Sequence, residues 1–307
     1  MPSWPGPVLA IGGLIIAVIG LGLAVGRMIA QDTPELEDPL VSAVAIGGVA
    51  LLTAGLLYSA VRQLRVRRHL PPGRYRGPSI QILLALVMVI ATVPTLPFGA
   101  DAVALVLGEG EVSLPGGVAL LVSTQLAMLL VAWLFVFRPR ALVALPPLVG
   151  SEPWRAVRAG IGWGVLAWVG ASLLLLAVVT LLERLGIPPE PETAEQAVAL
   201  LEPWLVVLAV VILAPLAEEV FFRGVVFNAW LRERGRRWAF ISSSLLFAVI
   251  HFSLVALLPI LLLGLALAWV YARTGSLLAP IAMHATVNGI SVALALLVRF
   301  EFIRLPV

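Results

Sequence analysis

Apolar runs about twenty residues long recur from one end of this chain to the other, separated by short segments rich in charge, proline and glycine. That is the length a helix needs to cross a hydrocarbon layer of roughly 30 Å. Nine such runs are recognisable, near residues 8–30, 40–61, 79–99, 116–137, 160–182, 203–231, 238–255, 257–273 and 276–298. The pattern predicts an all-α, polytopic helical membrane protein with about eight or nine transmembrane helices. The stretch 239–271 is nearly continuous and too long for one crossing at about 1.5 Å per residue. A break near Pro259 divides it, and a re-entrant hairpin there would lower the number of crossings.

The connecting segments alternate in sign. One set carries Arg62, Arg65, Arg67, Arg68, Arg74 and Arg76, then Arg138, Arg140, Arg155 and Arg158, then Arg232, Arg234, Arg236 and Arg237. The other carries Asp32, Glu35, Glu37 and Asp38, then Asp101, Glu109 and Glu111, then Glu190, Glu192 and Glu195. Arginine-rich loops stay on the cytoplasmic side, so the N-terminus is expected inside a multi-pass protein of the cell (plasma) membrane. Arg27, Arg299 and Arg304 run against this pattern. No Lys or Arg precedes Arg27, so the first run lacks the basic flank of a cleavable signal and reads as a retained span.

Composition sharpens the picture. Of 307 residues, 61% are hydrophobic and 12% charged, about half the charge of an ordinary soluble domain. All twenty basic residues are arginine, which removes Schiff-base and lysine general-base chemistry. There is no cysteine, which removes disulfides, thiol catalysis and thiolate metal sites. Arginines beside apolar spans mark topology, so nucleic acid is not an expected partner; the bilayer is. Pro188, Pro189 and Pro191 mark a boundary between 1–195, a supporting half, and 196–307, which holds the unusual polar residues.

Those residues are few. Glu218 and Glu219 sit inside the apolar run 204–222, where a charged side chain costs roughly 2.5–3.5 kcal/mol on insertion scales and is usually functional. Arg223 lies four residues beyond Glu219, on the same helical face and in the favourable acid-first order. Glu218 points about 100° away. Glu219 is therefore expected to neutralise Arg223 and Glu218 to be left to act. Two further pairs, Phe247 with His251 and His284 with Asn288, repeat the four-residue spacing on later runs. By helical rise, Glu218 lies about 21 Å from Arg232, His251 about 21 Å from Arg237 and His284 about 17 Å from Arg273. This common depth suggests convergence. Taken singly, Glu219 with Arg223 reads equally well as a packing ion pair, a lone histidine as an interhelical hydrogen-bonding group and Asn288 as helix glue.

Together, Glu218-Glu219-x-x-x-Arg223, Phe247-x-x-x-His251 and His284-x-x-x-Asn288 resemble the three signature motifs of the CPBP (CAAX protease and bacteriocin-processing, or Abi) family of intramembrane proteases. The resemblance covers about 196–298. It implies hydrolysis of a peptide bond in a membrane peptide or lipidated protein, at a site opening to the cytoplasm. It also implies that Glu218 with His251 activates a water, while His284 and Asn288 steady the oxyanion. Glu218, His251 and His284 are also the types of ligand that hold zinc in a His2Glu site. There is no His-Glu-x-x-His helix, and Arg223 is placed to occupy Glu219, the only base left if Glu218 were a ligand. A glutamate mechanism with no cofactor is expected, with zinc as the alternative. The rivals are a non-catalytic membrane scaffold or bacteriocin-immunity protein, and a proton-coupled transporter. A transporter predicts inverted repeats, and none is visible.

Overall fold

A computed structural model describes residues 5–31, 39–107, 110–142, 151–187 and 193–302. The acidic positions Asp32, Glu35, Glu37, Asp38, Glu109, Glu190 and Glu192, the proline boundary at 188–191 and Arg304 lie outside the described residues, as do the side chains of Arg27 and Glu195.

The described chain is mostly helical: α1 (Pro5–Gln31), α2 (Pro39–Arg67), α3 (Ile80–Thr92), α4 (Gly99–Leu107), α5 (Leu114–Ala132), α6 (Pro153–Arg184) and α7 (Thr193–Leu200) come first. The long α8 (Pro203–Arg234), α9 (Arg236–Val249), α10 (Leu257–Thr274) and α11 (Leu278–Arg299) follow. Every predicted run has a helical counterpart. Among the described residues six helical stretches are long and apolar enough to cross a membrane, so this is an integral, all-α membrane protein.

One boundary differs from expectation. The run 238–255 is not one span: α9 has 14 residues, about 21 Å, and the chain reverses over 250–256 before α10. The break is not at Pro259. That proline sits in the first turn of α10, where its missing N–H has no intrahelical partner to lose. At the end of α9 the ring of His251 takes the place of a helical backbone donor. Its Nδ1 lies 2.7 Å from the Phe247 carbonyl, the acceptor its own backbone N–H would take in a continuing helix. That N–H turns instead to Ala248 O at 3.2 Å.

Glycine permits the closest helix contacts. A Cβ on Gly13 would stand 2.2 Å from the Leu52 nitrogen, and one on Gly160 would stand 2.3 Å from the Ala279 carbonyl oxygen. The first contact pairs α1 with α2. The second sets α6 beside α11, where the Trp168 indole also donates to Ser291 Oγ at 3.1 Å.

The arginine-bearing segments meet at one end of the bundle. Arg67 bridges to Glu233 at 3.0 Å, the Arg76 N–H donates to Ala141 O at 2.9 Å, and Arg155 shares a cavity with Thr274 and Ser276. Arg299 lies at the far end of α11 and has its own task. It donates to Val198 O at 2.7 Å and Leu201 O at 2.6 Å, capping the carbonyls at the end of α7.

Candidate active site

The helix carrying both glutamates is irregular. Two wide π-helical stretches, Val207–Leu213 and Val220–Phe227, flank the short α-helical segment Ala214–Glu219. Such turns recur at functional sites. In the first, the Ala214 N–H donates five residues back, to Ala209 O. The next donor in that register would be residue 215, a proline with no N–H, which strands the Val210 carbonyl. The Asn288 amide fills the gap, donating to Val210 O at 2.9 Å. The second stretch is finished the same way. The backbone N–H of Asn228 goes to Val225 O, and its side-chain amide donates to Arg223 O at 2.7 Å and to the Tyr271 hydroxyl at 2.7 Å. Each wide turn is closed by a carboxamide.

Below the first patch, Arg223 is 1% and Glu219 0% exposed. Arg223 donates to Glu219 Oε1 at 2.8 Å and to Gly264 O at 2.9 Å, and its guanidinium carbon lies 4.6 Å from the centroid of the Phe247 ring. A buried charge is tolerable only with such pairing. Phe247 is fully buried and also touches the rings of Phe222, His251 and His284, with centroids 5.2, 4.9 and 5.7 Å away.

His284 Nδ1 lies 3.0 Å from Glu219 Oε1, and His251 Nδ1 lies 2.7 Å from Phe247 O. Carbonyl and carboxylate oxygens only accept, so both Nδ1 atoms carry the proton. In the neutral rings each Nε2 is then a bare acceptor, and both face Glu218. The Glu218 Oε2 atom is 4.0 Å from His251 Nε2 and 4.0 Å from His284 Nε2. It is buried and has no hydrogen-bond partner among the described residues. Exposure of the side chains rises from His284 (4%) through Glu218 (14%) to His251 (30%), so the accessible side of the cluster is that of His251.

The structure thus brings Glu218, Glu219, Arg223, His251 and His284 together, with Phe247 as the wall between them. Asn288 has one amide bond to the backbone of α8. The sequence reading did not include Gly264, Asn228 or Tyr271. The signal for Asn228 was present, a lone amide five residues beyond Arg223 in an apolar run. Nothing in the sequence marked the Gly264 carbonyl. As for zinc, bonds of about 2.0–2.1 Å set tetrahedral donors about 3.3–3.4 Å apart. The 4.0 Å separations here are wider. Among the described residues no group of three or more His, Cys, Asp or Glu has metal-holding geometry.

Fold and site together define a polytopic membrane protein with an ionisable cluster enclosed by its helices. Residues 200–290 match the family model described as type II CAAX prenyl endopeptidase Rce1-like, which bears out the CPBP resemblance over that segment. The chain is similar to the protein named "Putative membrane peptidase YdiL" of Bacillus subtilis (strain 168), 32% identical over 84 residues, which are 27% of this chain and 34% of that one. It is also similar to "UPF0177 protein YxdF" of Lactococcus lactis subsp. lactis (strain IL1403), 37% identical over 79 residues, 25% of this chain and 42% of that one. The matches thus span well under half the length of these curated relatives. No solved structure matches the chain.

Proposed function

We propose that this protein is an intramembrane endopeptidase that hydrolyses a peptide bond of a membrane peptide or lipidated protein, using a glutamate-activated water and no metal. The observation that carries the reading is the position of Glu218 Oε2, a carboxylate oxygen with no hydrogen-bond partner among the described residues that lies 4.0 Å from both Nε2 atoms. A water between Glu218 Oε2 and His251 Nε2 donates its two protons to these acceptors and keeps a lone pair for the substrate. Its oxygen bonds to the scissile carbonyl carbon while Glu218, with His251, takes one proton. The proton then passes to the leaving amine as the C–N bond breaks.

The oxyanion needs donors. Asn288 keeps one amide N–H beyond the one spent on Val210. As an imidazolium, protonated from solvent before the substrate binds, His284 offers Nε2–H, and Glu219 at Nδ1 stabilises that charge as the carboxylate of a catalytic triad does. Donors of this kind contribute about 2.7–4 kcal/mol each to the transition state. The wide acceptor separations support the metal-free form. The gathering of arginine segments at one end supports a cytoplasmic N-terminus; a site opening to the cytoplasm is what the CPBP resemblance implies.

A non-catalytic scaffold explains Glu219, Arg223 and Asn288, each committed to a packing bond, but gives Glu218 Oε2 no use. The deciding experiment is cleavage of a membrane-anchored reporter peptide by the purified protein in proteoliposomes. Turnover by wild type but not by Glu218→Gln is expected. Equal turnover by both ends the assignment.

A further inference from the structure

The arginine-rich segment 62–76 takes no part in the chemistry above, yet it builds a cavity. A space of about 290 Å³ is lined by Leu64, Arg65, Arg68, Arg76, Pro139 and Ala141. It lies where the end of α2 and the following loop meet the end of α5, held together by the Arg76 N–H to Ala141 O bond of 2.9 Å. The level is that of the membrane boundary: Trp133, half exposed, stands on the outer face of the α5 end with Arg138 stacked 5.6 Å from its ring centroid, as interfacial anchors do.

Three arginines line this cavity, and among the described residues none of them forms an ion pair with a carboxylate. Topology alone asks for arginines at this end but not for three around one hollow. Two are already oriented through Nε: Arg76 donates to Leu70 O at 2.8 Å and Arg68 to the His69 ring at 3.2 Å. Their paired outer nitrogens are left to present a fork. Neighbouring Arg67, by contrast, is spent on Glu233. Forked donors match phosphate oxygens, and basic pockets at the inner membrane boundary take anionic headgroups. Leu64 and Ala141 supply apolar wall on the side of the helices.

We propose that Arg65, Arg68 and Arg76 form a binding site for the phosphate of an anionic phospholipid headgroup, seated between the ends of α2 and α5. The site is independent of the peptidase reading. Native mass spectrometry of the full-length protein released from micelles would count adducts of phosphatidylglycerol against phosphatidylcholine. Wild type should favour phosphatidylglycerol by about tenfold or more, and the pair Arg65→Gln with Arg68→Gln should bring the ratio near one. Arg76→Gln is a second, separate variant, because Arg76 also holds the loop through Leu70. Arg155→Gln with Arg158→Gln, at the same end but outside the cavity, should leave the preference intact. The proposal is overturned if that control pair lowers it as much, if the Arg65 and Arg68 pair leaves it unchanged, or if equimolar inorganic phosphate displaces the lipid.

Discussion

Asn288 and Val210 are joined by a 2.9 Å hydrogen bond that stands in for a backbone bond Pro215 cannot make. This one contact separates two roles that a simple alanine scan would merge. Asn288→Ala strands a part-buried carbonyl, at a cost of about 1 kcal/mol or more. Adding Pro215→Ala supplies the missing N–H in the π register and should recover much of that stability. If Asn288 also serves the oxyanion, cleavage will stay low in the stable double variant. Full recovery of turnover together with stability would show that the amide is only structural.

Glu219 and Arg223 test differently. Each is buried, so removing one partner leaves an uncompensated charge, worth about 3–5 kcal/mol of destabilisation. Glu219→Leu and Arg223→Leu should each lower the unfolding midpoint in bicelles more than the double substitution does. Additive losses would mean that the pair is not coupled.

Glu218→Gln should leave that midpoint within about 0.5 kcal/mol of wild type, since Oε2 has no partner to lose. Cleavage should fall by about three orders of magnitude or more. A variant that unfolds would instead make Glu218 a structural group.

Metal independence is checked by elemental analysis and chelation. Purified protein should carry zinc well below one equivalent, and cleavage should persist after dialysis against a chelator. Activity lost to the chelator and restored by zinc would reverse the assignment of Glu218, His251 and His284.

Tyr75 offers a test outside the membrane. Its hydroxyl is buried without a partner among the described residues, and burial pushes its phenol well above the ordinary tyrosine value. The unfolded chain ionises near pH 10 while the folded one holds its proton, so this group's stability contribution is present below pH 10 and lost as pH rises above it. Tyr75→Phe should raise the midpoint by about 1 kcal/mol at neutral pH and flatten the alkaline fall in a pH-dependent melt.

Much of this was legible in the sequence because lipid imposes a simple grammar. Apolar runs gave the helices, and the rarity of charge within them singled out Glu218, Glu219 and Arg223. Helical phase separated the roles of the two glutamates' neighbours: Arg223 does contact Glu219, as the four-residue spacing required. Backbone irregularity was not legible. The π turns of α8 change which carbonyls go unpaired, and only then does it emerge why Asn288 and Asn228 lie where they do. The end of α9 was hidden for the same reason, since the residues around it are as apolar as any helix interior. Arg299 looked misplaced until its acceptors on α7 were visible.

The ring of His251 does the work its own main-chain nitrogen gave up. Chain reversal and imidazole aim thus share one acceptor, the Phe247 carbonyl, with Nε2 on the Glu218 side of the ring. Any substituent at 251 that cannot reach the Phe247 oxygen leaves that oxygen free to extend the coil by another turn. The tip of the hairpin would then travel away from the glutamate, so a replacement chosen merely to delete a base would also move the wall behind it.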